Sequence, residues 1–377
     1  MIHELYVPTR GVDFLQLAAV TDSADPVQVT LEHEGAVITD VPACRPIHHH
    51  NQFYWQFHIA DLAPNTRYVI QAWQVAGRPR QVIVNTLVRP AGARKLRLGI
   101  LADPHCTGDR PSNARLYAQS FDLFEHSLQR LVDRGAQAII VPGDLTDAGS
   151  QDQLDRCRQL CRQCSVPVHP IVGNHEYQPQ RFLDTFKLGE GYRSLTIQGV
   201  HLVLLHTHSA NDLSPSSHQL RWLAADLAEH AAQDTLVFSH FALVRHPYQA
   251  REKNPCIHNH HDVADLLARH PQVRAAFAGH KNIPTRTDQG HVAHMTCPQI
   301  CRAPCSYDLV DLYDEGLVRH IFEIDESHLL AQSKAQFSQP EDAAYRFGLE
   351  SGRNFSVTYD ALMPCDEQHD QAACQNI

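Results

Sequence analysis

A chain of 377 residues exceeds the usual size of one domain, so two domains with a sizeable core are expected. Its 32 Lys and Arg against 42 Asp and Glu leave a formal net charge of -10 without any Lys/Arg run, which argues against a broad nucleic-acid or anionic-membrane surface, since both need clustered positive charge. Any phosphate chemistry must then take its positive charge from elsewhere, and metal ions are the obvious source.

The N-terminus, MIHELYVPTRGVDF, shows no basic stretch followed by an apolar one, and nowhere do about 18 apolar residues run together. No membrane segment is expected, and the protein is read as cytoplasmic. Eleven cysteines, an odd number, fit reduced thiols better than a disulfide framework. From Val12 to about Val88, short alternating runs (VQVTLEHEG, QFYWQFHIA, TRYVIQAWQV, RQVIVNTLV) are broken by turn residues, the pattern of a small all-β sandwich. In L-A-P-N-T-R-Y, Leu62 to Tyr68, a Tyr enters a strand just after a turn and can fold its hydroxyl back onto the backbone. This segment resembles the L-x-P-x-T-x-Y signature of fibronectin type III domains, which implies such a domain over residues 1–92. The run His48 to His50 is expected in a solvated loop, and RPAGARK, Arg89 to Lys95, reads as a linker.

The texture then changes. KLRLGILADPH, AQAIIVPGD and VPVHPIVGNHE read as strands separated by the helices SNARLYAQSFDLFEHSLQRLVDRG and DQLDRCRQLCRQC. Such alternation means parallel pairing with helices over the sheet. Farther on, YRSLTIQGVHLVLLHTH reads as a hairpin, SPSSHQLRWLAADLAEH as a capped helix, TLVFSHF as a strand, VADLLARH as a short helix and VRAAFAGH as a strand. HVAHMTC and YDLVDLYDEGLVRHIFEI look like antiparallel strands. The predicted class is α/β, a layered sandwich of mixed sheets flanked by helices over residues 96–325, preceded by the all-β domain. From 326 to 377 only RNFSVTY is strand-like, and this extension has no assigned role.

Five strands end in polar residues at the edge where open α/β folds build sites: Asp103 and His105 in A-D-P-H, Asp144 and Asp147 in G-D-L-T-D, Asn174 and His175 in G-N-H-E, His240 in F-S-H-F, and His280 in A-G-H-K-N. Carboxylate, amide and imidazole together suit Mn, Fe or Zn rather than a soft thiolate site. A carboxylate shared by two ions would place them roughly 3.5 to 4 Å apart and give a bridging hydroxide at neutral pH.

These motifs resemble the calcineurin-like metallophosphoesterase superfamily, whose pattern is D-x-H, G-D-x-x-D, G-N-H-[ED], H and G-H-x-H. The resemblance implies that Asp103, His105 and Asp144 hold a first ion, and that Asp144 bridges to a second held by Asn174, His240 and His280. It also implies in-line hydrolysis of a small phosphoester, with His175 protonating the leaving oxygen and Asp147 orienting its ring. The last motif departs from the pattern, because Asn282 stands where a second histidine of the first site is expected. An amide oxygen is a harder, uncharged ligand, so Asn282 is expected to bind directly or through water, and Mn or Fe is favoured over Zn at the first site.

Purple acid phosphatases also carry an N-terminal fibronectin-like domain, but they lack the His of the first motif and have Tyr where Asp147 stands. The motifs are closer to the bacterial cyclic-nucleotide and glycerophosphodiester phosphodiesterase branch, and both diester and monoester substrates stay open. The alternative is a catalytically impaired metal- or nucleotide-binding module of the same fold, against which the His175 and Asp147 pair speaks. Around the site, His208 in H-T-H and Arg245 are substrate candidates, with Arg251 and the loop C-I-H-N-H-H (Cys256 to His261) on the same rim. Cys157, Cys161 and Cys164 share one helix face and read as a core stripe. Cys297, Cys301 and Cys305 match no common metal signature. The front domain or the C-terminal extension could serve a partner or an oligomer contact.

Overall fold

In the front domain, alternation of apolar and polar residues produces strands β1 (Ile2–Arg10), β2 (Leu15–Thr21), β3 (Gln28–His33), β4 (Ala36–Val41), β5 (Ile47–His49), β6 (Gln52–Ile59), β7 (Arg67–Trp73) and β8 (Arg80–Asn85). The computed structural model describes residues 1–41, 45–49, 51–75, 77–108, 114–208, 212–246, 256–339 and 345–362. Two antiparallel four-stranded sheets, ordered β1-β2-β6-β5 and β4-β3-β7-β8, pack Leu15, Leu17 and Trp55 of one against Leu31, Ile70 and Ala72 of the other. The tyrosine device is present: the Tyr68 hydroxyl accepts from the Ala63 N–H at 2.9 Å. The sandwich starts earlier than the alternation suggests. β1 hides its period because its pairing with β2 is irregular at two places and because Pro8 interrupts the run. His48 and His49 lie on the edge strand β5 rather than in a loop, and His50 falls outside the described residues.

The second part runs β9 (Arg94–Ile100), α1 (Ser120–Asp133), β10 (Ala138–Pro142), α2 (Gln151–Gln163), β11 (Val168–Ile171), α3 (Pro179–Phe186), β12 (Arg193–Ile197), β13 (Val200–Leu204), α4 (Ser217–Glu229), β14 (Thr235–Ser239), α5 (His260–Ala268), β15 (Val273–Ala278), β16 (Thr285–Gln289), β17 (Val292–Thr296), β18 (Ser306–Tyr313), β19 (Gly316–Glu323), α6 (Ser327–Ala335) and β20 (Phe355–Thr358). Two mixed six-stranded sheets form, ordered β11-β10-β9-β18-β19-β20 and β12-β13-β14-β15-β17-β16. Leu98, Ile140, Leu204, Phe238, Phe277 and Val310 fill the space between them. Outside, α1 and α2 cover the first sheet through Phe124, Leu128, Leu154 and Cys157, while α4 and α5 cover the second through Leu223, Leu227, Val263 and Leu267. This is the expected layered α/β sandwich. Ser150 and Ser216 cap α2 and α4 by accepting the N–H of Gln153 and Gln219.

Cys157 is buried in the outer core and Cys161 and Cys164 pack against it, as the helical spacing indicates. β17 runs parallel to β15 and antiparallel to β16, a short polar strand that the sequence pattern does not mark. The strand-like RNFSVTY becomes β20, which extends the first sheet beside β19. Arg319 on β19 ties these parts together from a fully buried position. Its Nε donates to Asp308 at 2.5 Å, Nη1 to the carbonyls of Thr285 and Gly352, and Nη2 to that of Thr296. The guanidinium thereby joins both sheets and the 345–362 segment. Removing Asp308 would leave its charge uncompensated, at a cost of about 3 to 5 kcal/mol.

Candidate metal centre

Strands β9, β10 and β11 are parallel neighbours in one sheet and β14 and β15 in the other, so their C-terminal ends open onto one edge. There the chain turns sharply. Asp103, His105, Asp144, His280 and Asn282 all have φ between 46° and 63°, a region that non-glycine residues seldom occupy and that marks sites held by their surroundings. Close approach is needed as well. A Cβ on Gly143 would lie 2.1 Å from His240 Nδ1, and one on Gly279 would lie 2.6 Å from Asp103 Oδ2.

Beside a set of His105, Asp147 and His175, two sets of ligand-type atoms result among the described residues, each within 4.8 Å: Asp103, His105 and Asp144, and Asp144, His240 and His280. Asp144 belongs to both. Asn174 joins the second set, its Oδ1 2.9 Å from His240 Nε2, while Asp144 Oδ1 stands 3.3 Å from that same nitrogen. His240 Nδ1 lies 3.0 Å from the Pro142 carbonyl, which can only accept, so Nδ1 carries the proton of the neutral ring. Nε2 then presents a lone pair to two oxygens that are themselves acceptors. Three acceptors facing one another with no proton between them are the arrangement that a cation resolves.

The first set is less satisfied still. Neither nitrogen of the fully buried His105 has a hydrogen-bond partner, although Nε2 is 3.7 Å from Asp144 Oδ2 and Nδ1 is 3.3 Å from Asp147 Oδ1. The Asp103 carboxylate accepts the His280 N–H at 3.0 and 2.9 Å, which brings the 280–282 turn against the first set. Asn282 donates from Nδ2 to the His280 carbonyl, and its Oδ1 is buried without a partner.

Titration follows from this geometry. Burial and the adjacent Asp144 charge push Asp103 well above the usual carboxylate range. Burial also opposes ionisation of Asp144, but the imidazoles of His240 and His105 outweigh it and hold its pKa low. Burial lowers His105 to about 4 and lowers His240 and His280 as well, keeping these rings in the neutral form that binds metal. The donor types, the unpartnered nitrogens and the crowded acidic pair all fit divalent ions.

His175 differs. Its N–H donates to Asp144 Oδ1 at 2.9 Å, and its ring Nδ1 lies 3.2 Å from Asp147 Oδ1 and 3.0 Å from the Asp147 carbonyl. The ring edge opposite Nδ1 carries Nε2, and the side chain is 22% exposed. Burial works against the charged ring, yet the Asp147 hydrogen bond and the Asp144 charge raise its pKa above the ordinary value. Burial likewise opposes the Asp147 charge, but the imidazoles of His105 and His175 beside it and the Tyr117 hydroxyl hold its pKa far down.

His208 is nearly buried, with its ring centroid 6.3 Å from that of His240 and Nδ1 unpartnered. Arg245 is exposed, and its charge acts on Cys256 and His260. His258 pairs with Asp212 and His260 opens α5, so the histidines of that loop serve the surface and a helix start. Arg251 lies outside the described residues. Cys301 donates its thiol to the Asp103 carbonyl at 3.7 Å, so that cysteine packs behind the first set.

Three residues at this edge escaped the sequence reading. Glu176 is buried and accepts from the Thr146 N–H, the Thr146 hydroxyl and the Gly173 N–H at 2.8 to 2.9 Å, which fastens the loop after β10 to the loop after β11. The acidic letter of G-N-H-E was its signal. Tyr117 donates to Asp147 Oδ1 at 2.8 Å, and Arg115 donates to the Tyr117 hydroxyl and stands 3.8 Å from the same carboxylate. Both fall in the part of the predicted helix that the structure leaves outside α1, which begins only at Ser120.

Fold and site define a layered α/β protein with candidate metal ligands at the ends of two packed sheets. The chain belongs to the calcineurin-like phosphoesterase family, whose model matches residues 96–284. It is 24% identical over 247 residues to a 3′,5′-cyclic adenosine monophosphate phosphodiesterase of Haemophilus influenzae, covering 62% of this chain and 87% of that protein. It is 25% identical over 282 residues to a manganese-dependent ADP-ribose/CDP-alcohol diphosphatase of Danio rerio, covering 54% of this chain and 86% of that one. A crystal structure of a dimetal phosphatase from Danio rerio superposes with a TM-score of 0.54 at 18% identity, over 71% of this chain and 100% of that one, which is a likeness of fold.

Proposed function

We propose that this protein is a two-metal phosphodiesterase acting on a small nucleotide-type substrate. The observation that carries the reading is the convergence of His240 Nε2, Asn174 Oδ1 and Asp144 Oδ1 with no proton to share, beside an imidazole held by a carboxylate. Asp103, His105 and Asp144, with Asn282 beside them, would hold one ion, and Asp144, Asn174, His240 and His280 the other. When bound, the ions supply positive charge against the phosphate and lower the pKa of water.

The chain's own groups do the rest. His175 is held through Nδ1 by Asp147, so Nε2 is the atom that delivers a proton to the leaving oxygen. Asp147 fixes that ring, and Tyr117 and Arg115 fix Asp147. His208 beside His240 is the better placed substrate candidate, and Arg245 would act only at the rim. The diester preference is supported by the relative named for a cyclic nucleotide. We read the front sandwich as fibronectin type III-like on its tyrosine corner and its two facing sheets.

Hydrolysis of bis(p-nitrophenyl) phosphate and of a cyclic nucleotide with Mn present, abolished by chelation, is the expected result. Inactivity on both across Mn, Fe and Zn would sink the proposal.

A further inference from the structure

A cavity of about 820 Å³ opens at the seam between the two parts of the chain, lined by Leu5, Tyr6, Glu323, Lys334, Phe347 and Arg353 among others. Its volume suits a ligand of nucleotide size. None of these residues belongs to the metal centre.

Three kinds of chemistry meet in its wall. The first is positive charge. Arg80, Lys334 and Arg353 line it against two acids, Glu4 and Glu323. The Lys334 ammonium is held 4.8 Å over the Phe347 ring and 5.6 Å over the Tyr6 ring, and the Arg353 guanidinium lies 5.6 Å over Phe347. Arg353 Nε is buried without a hydrogen-bond partner, leaving a donor on a cation unused. The second is aromatic surface, since Tyr6, Phe337 and Phe347 line the cavity and are only half-buried. The third is a lone acceptor. Glu323 is 4% exposed and takes the Tyr6 hydroxyl on Oε2 at 3.1 Å, while its Oε1 has no partner. An unsatisfied buried oxygen of this kind costs stability unless a donor reaches it.

We propose that this cavity binds a nucleoside monophosphate. The phosphate lies between Lys334 and Arg353, the planar base against the aromatic wall, and an amine or hydroxyl donates toward Glu323. An inorganic anion would use only the cations and an uncharged aromatic only the rings, so a molecule with both parts fits the whole wall.

The site is independent of the catalytic reading, because no metal ligand lines it. It still shares an element with the catalytic edge. On α6, the Ser333 hydroxyl next to Lys334 accepts the Ala303 N–H and donates to the carbonyl of Ala114, the residue before Arg115.

The test is calorimetric titration of AMP onto the metal-loaded full chain, its Lys334→Ala variant and its Phe347→Ala variant, with melting temperatures recorded for all three. Saturable binding is expected, with a component weakened at least tenfold by Lys334→Ala and several-fold by Phe347→Ala. The kcat/KM for bis(p-nitrophenyl) phosphate should stay the same in both variants. Inorganic phosphate alone and adenosine alone should each bind at least tenfold more weakly than AMP at that component. Absence of saturable AMP binding overturns the proposal, as does an isotherm that a folded variant of either kind leaves unchanged. Loss of AMP binding only in a metal-ligand variant would place the nucleotide at the catalytic centre and overturn it too.

Discussion

Among the described residues, two regions gather histidine and aspartate within 4.8 Å, the edge around Asp144 and a second group of His201 on β13, Asp226 on α4 and His230 at the end of that helix. By proximity alone both are metal sites. Hydrogen bonding separates them. At the second group His201 Nε2 meets Asp226 Oδ2 at 2.7 Å, the Ser194 hydroxyl donates to Asp226 Oδ1 at 2.6 Å, and His230 Nδ1 lies 2.8 Å from the Asp226 carbonyl. The carboxylate there is already satisfied by donors, and the His201 and His230 rings stack at 3.8 Å. Around Asp144, by contrast, acceptors face acceptors and His105 has no partner at either nitrogen. His201 Nδ1 is unpartnered there too, so what separates the two groups is whether the carboxylate and its imidazole share a proton, not the residue types gathered.

The largest effect should come from breaking the shared carboxylate. Asp144→Asn removes the one group common to both ligand sets, and a loss of several kcal/mol of charge stabilisation corresponds to about a 10⁴-fold fall in kcat. Metal content measured by inductively coupled plasma mass spectrometry should fall with it. Asp226→Asn is the matched control and should cost about 1 to 3 kcal/mol of stability in denaturant unfolding without changing metal content. Equal loss of metal in both variants would erase the distinction.

His175→Ala comes next. As a proton donor rather than a ligand, its removal should lower kcat by about 10² to 10³-fold on a cyclic nucleotide, whose leaving alkoxide needs a proton, and far less on bis(p-nitrophenyl) phosphate, whose phenolate does not. Metal content should remain that of the wild type. An equal loss on both substrates would assign His175 another role.

A third expectation concerns a buried imidazole outside both ligand sets. His294 on β17 is 6% exposed with Nδ1 unpartnered, and burial lowers its pKa to about 4. An unfolded histidine titrates near 6.5, so between those values the unfolded chain takes up a proton that the folded one refuses, and stability falls as pH drops. The span of about 2.5 units is worth about 3 kcal/mol, lost between pH 6.5 and 4 and flat below. Urea unfolding of wild type and His294→Phe at pH 7 and pH 4.5 checks this, since the variant should lose less stability on acidification.

The contrast also explains what the sequence could reveal. Asp103, Asp144, Asn174, His240 and His280 were legible because each follows an apolar strand that fixes its place at one sheet edge, so order in the chain translates into neighbourhood in space. Tyr117 and Arg115 fall where the helical pattern predicts α1, but the helix starts only at Ser120 and the turn before it carries them to Asp147, which only the packing shows. β1 was hidden by its irregular pairing and Pro8, and β16 by its polar composition. The His201 group carries the same letters as the metal edge, and no spacing rule could say that its carboxylate is already saturated.

Asn282 offers the finest test because it sits where the two behaviours meet. Its Nδ2 is satisfied by the His280 carbonyl, as in the structural group, while its Oδ1 is buried and unpartnered, as in the metal edge. The backbone at 282 is left-handed, with φ of 59°, a conformation that asparagine tolerates better than most residues. Asn282→His therefore gains an imidazole ligand but gives up the Nδ2 bond and adds some backbone strain. The balance should favour the metal, and first-site affinity for Mn should tighten by about tenfold, the lower end of what ligand-environment changes produce. Competitive chelator titration reads this directly. Because the second ligand set does not include position 282, only the weaker of two dissociation steps should move. If both steps shift together, or neither does, Oδ1 is not facing the first ion, and the orphaned oxygen belongs with the structural polar groups instead.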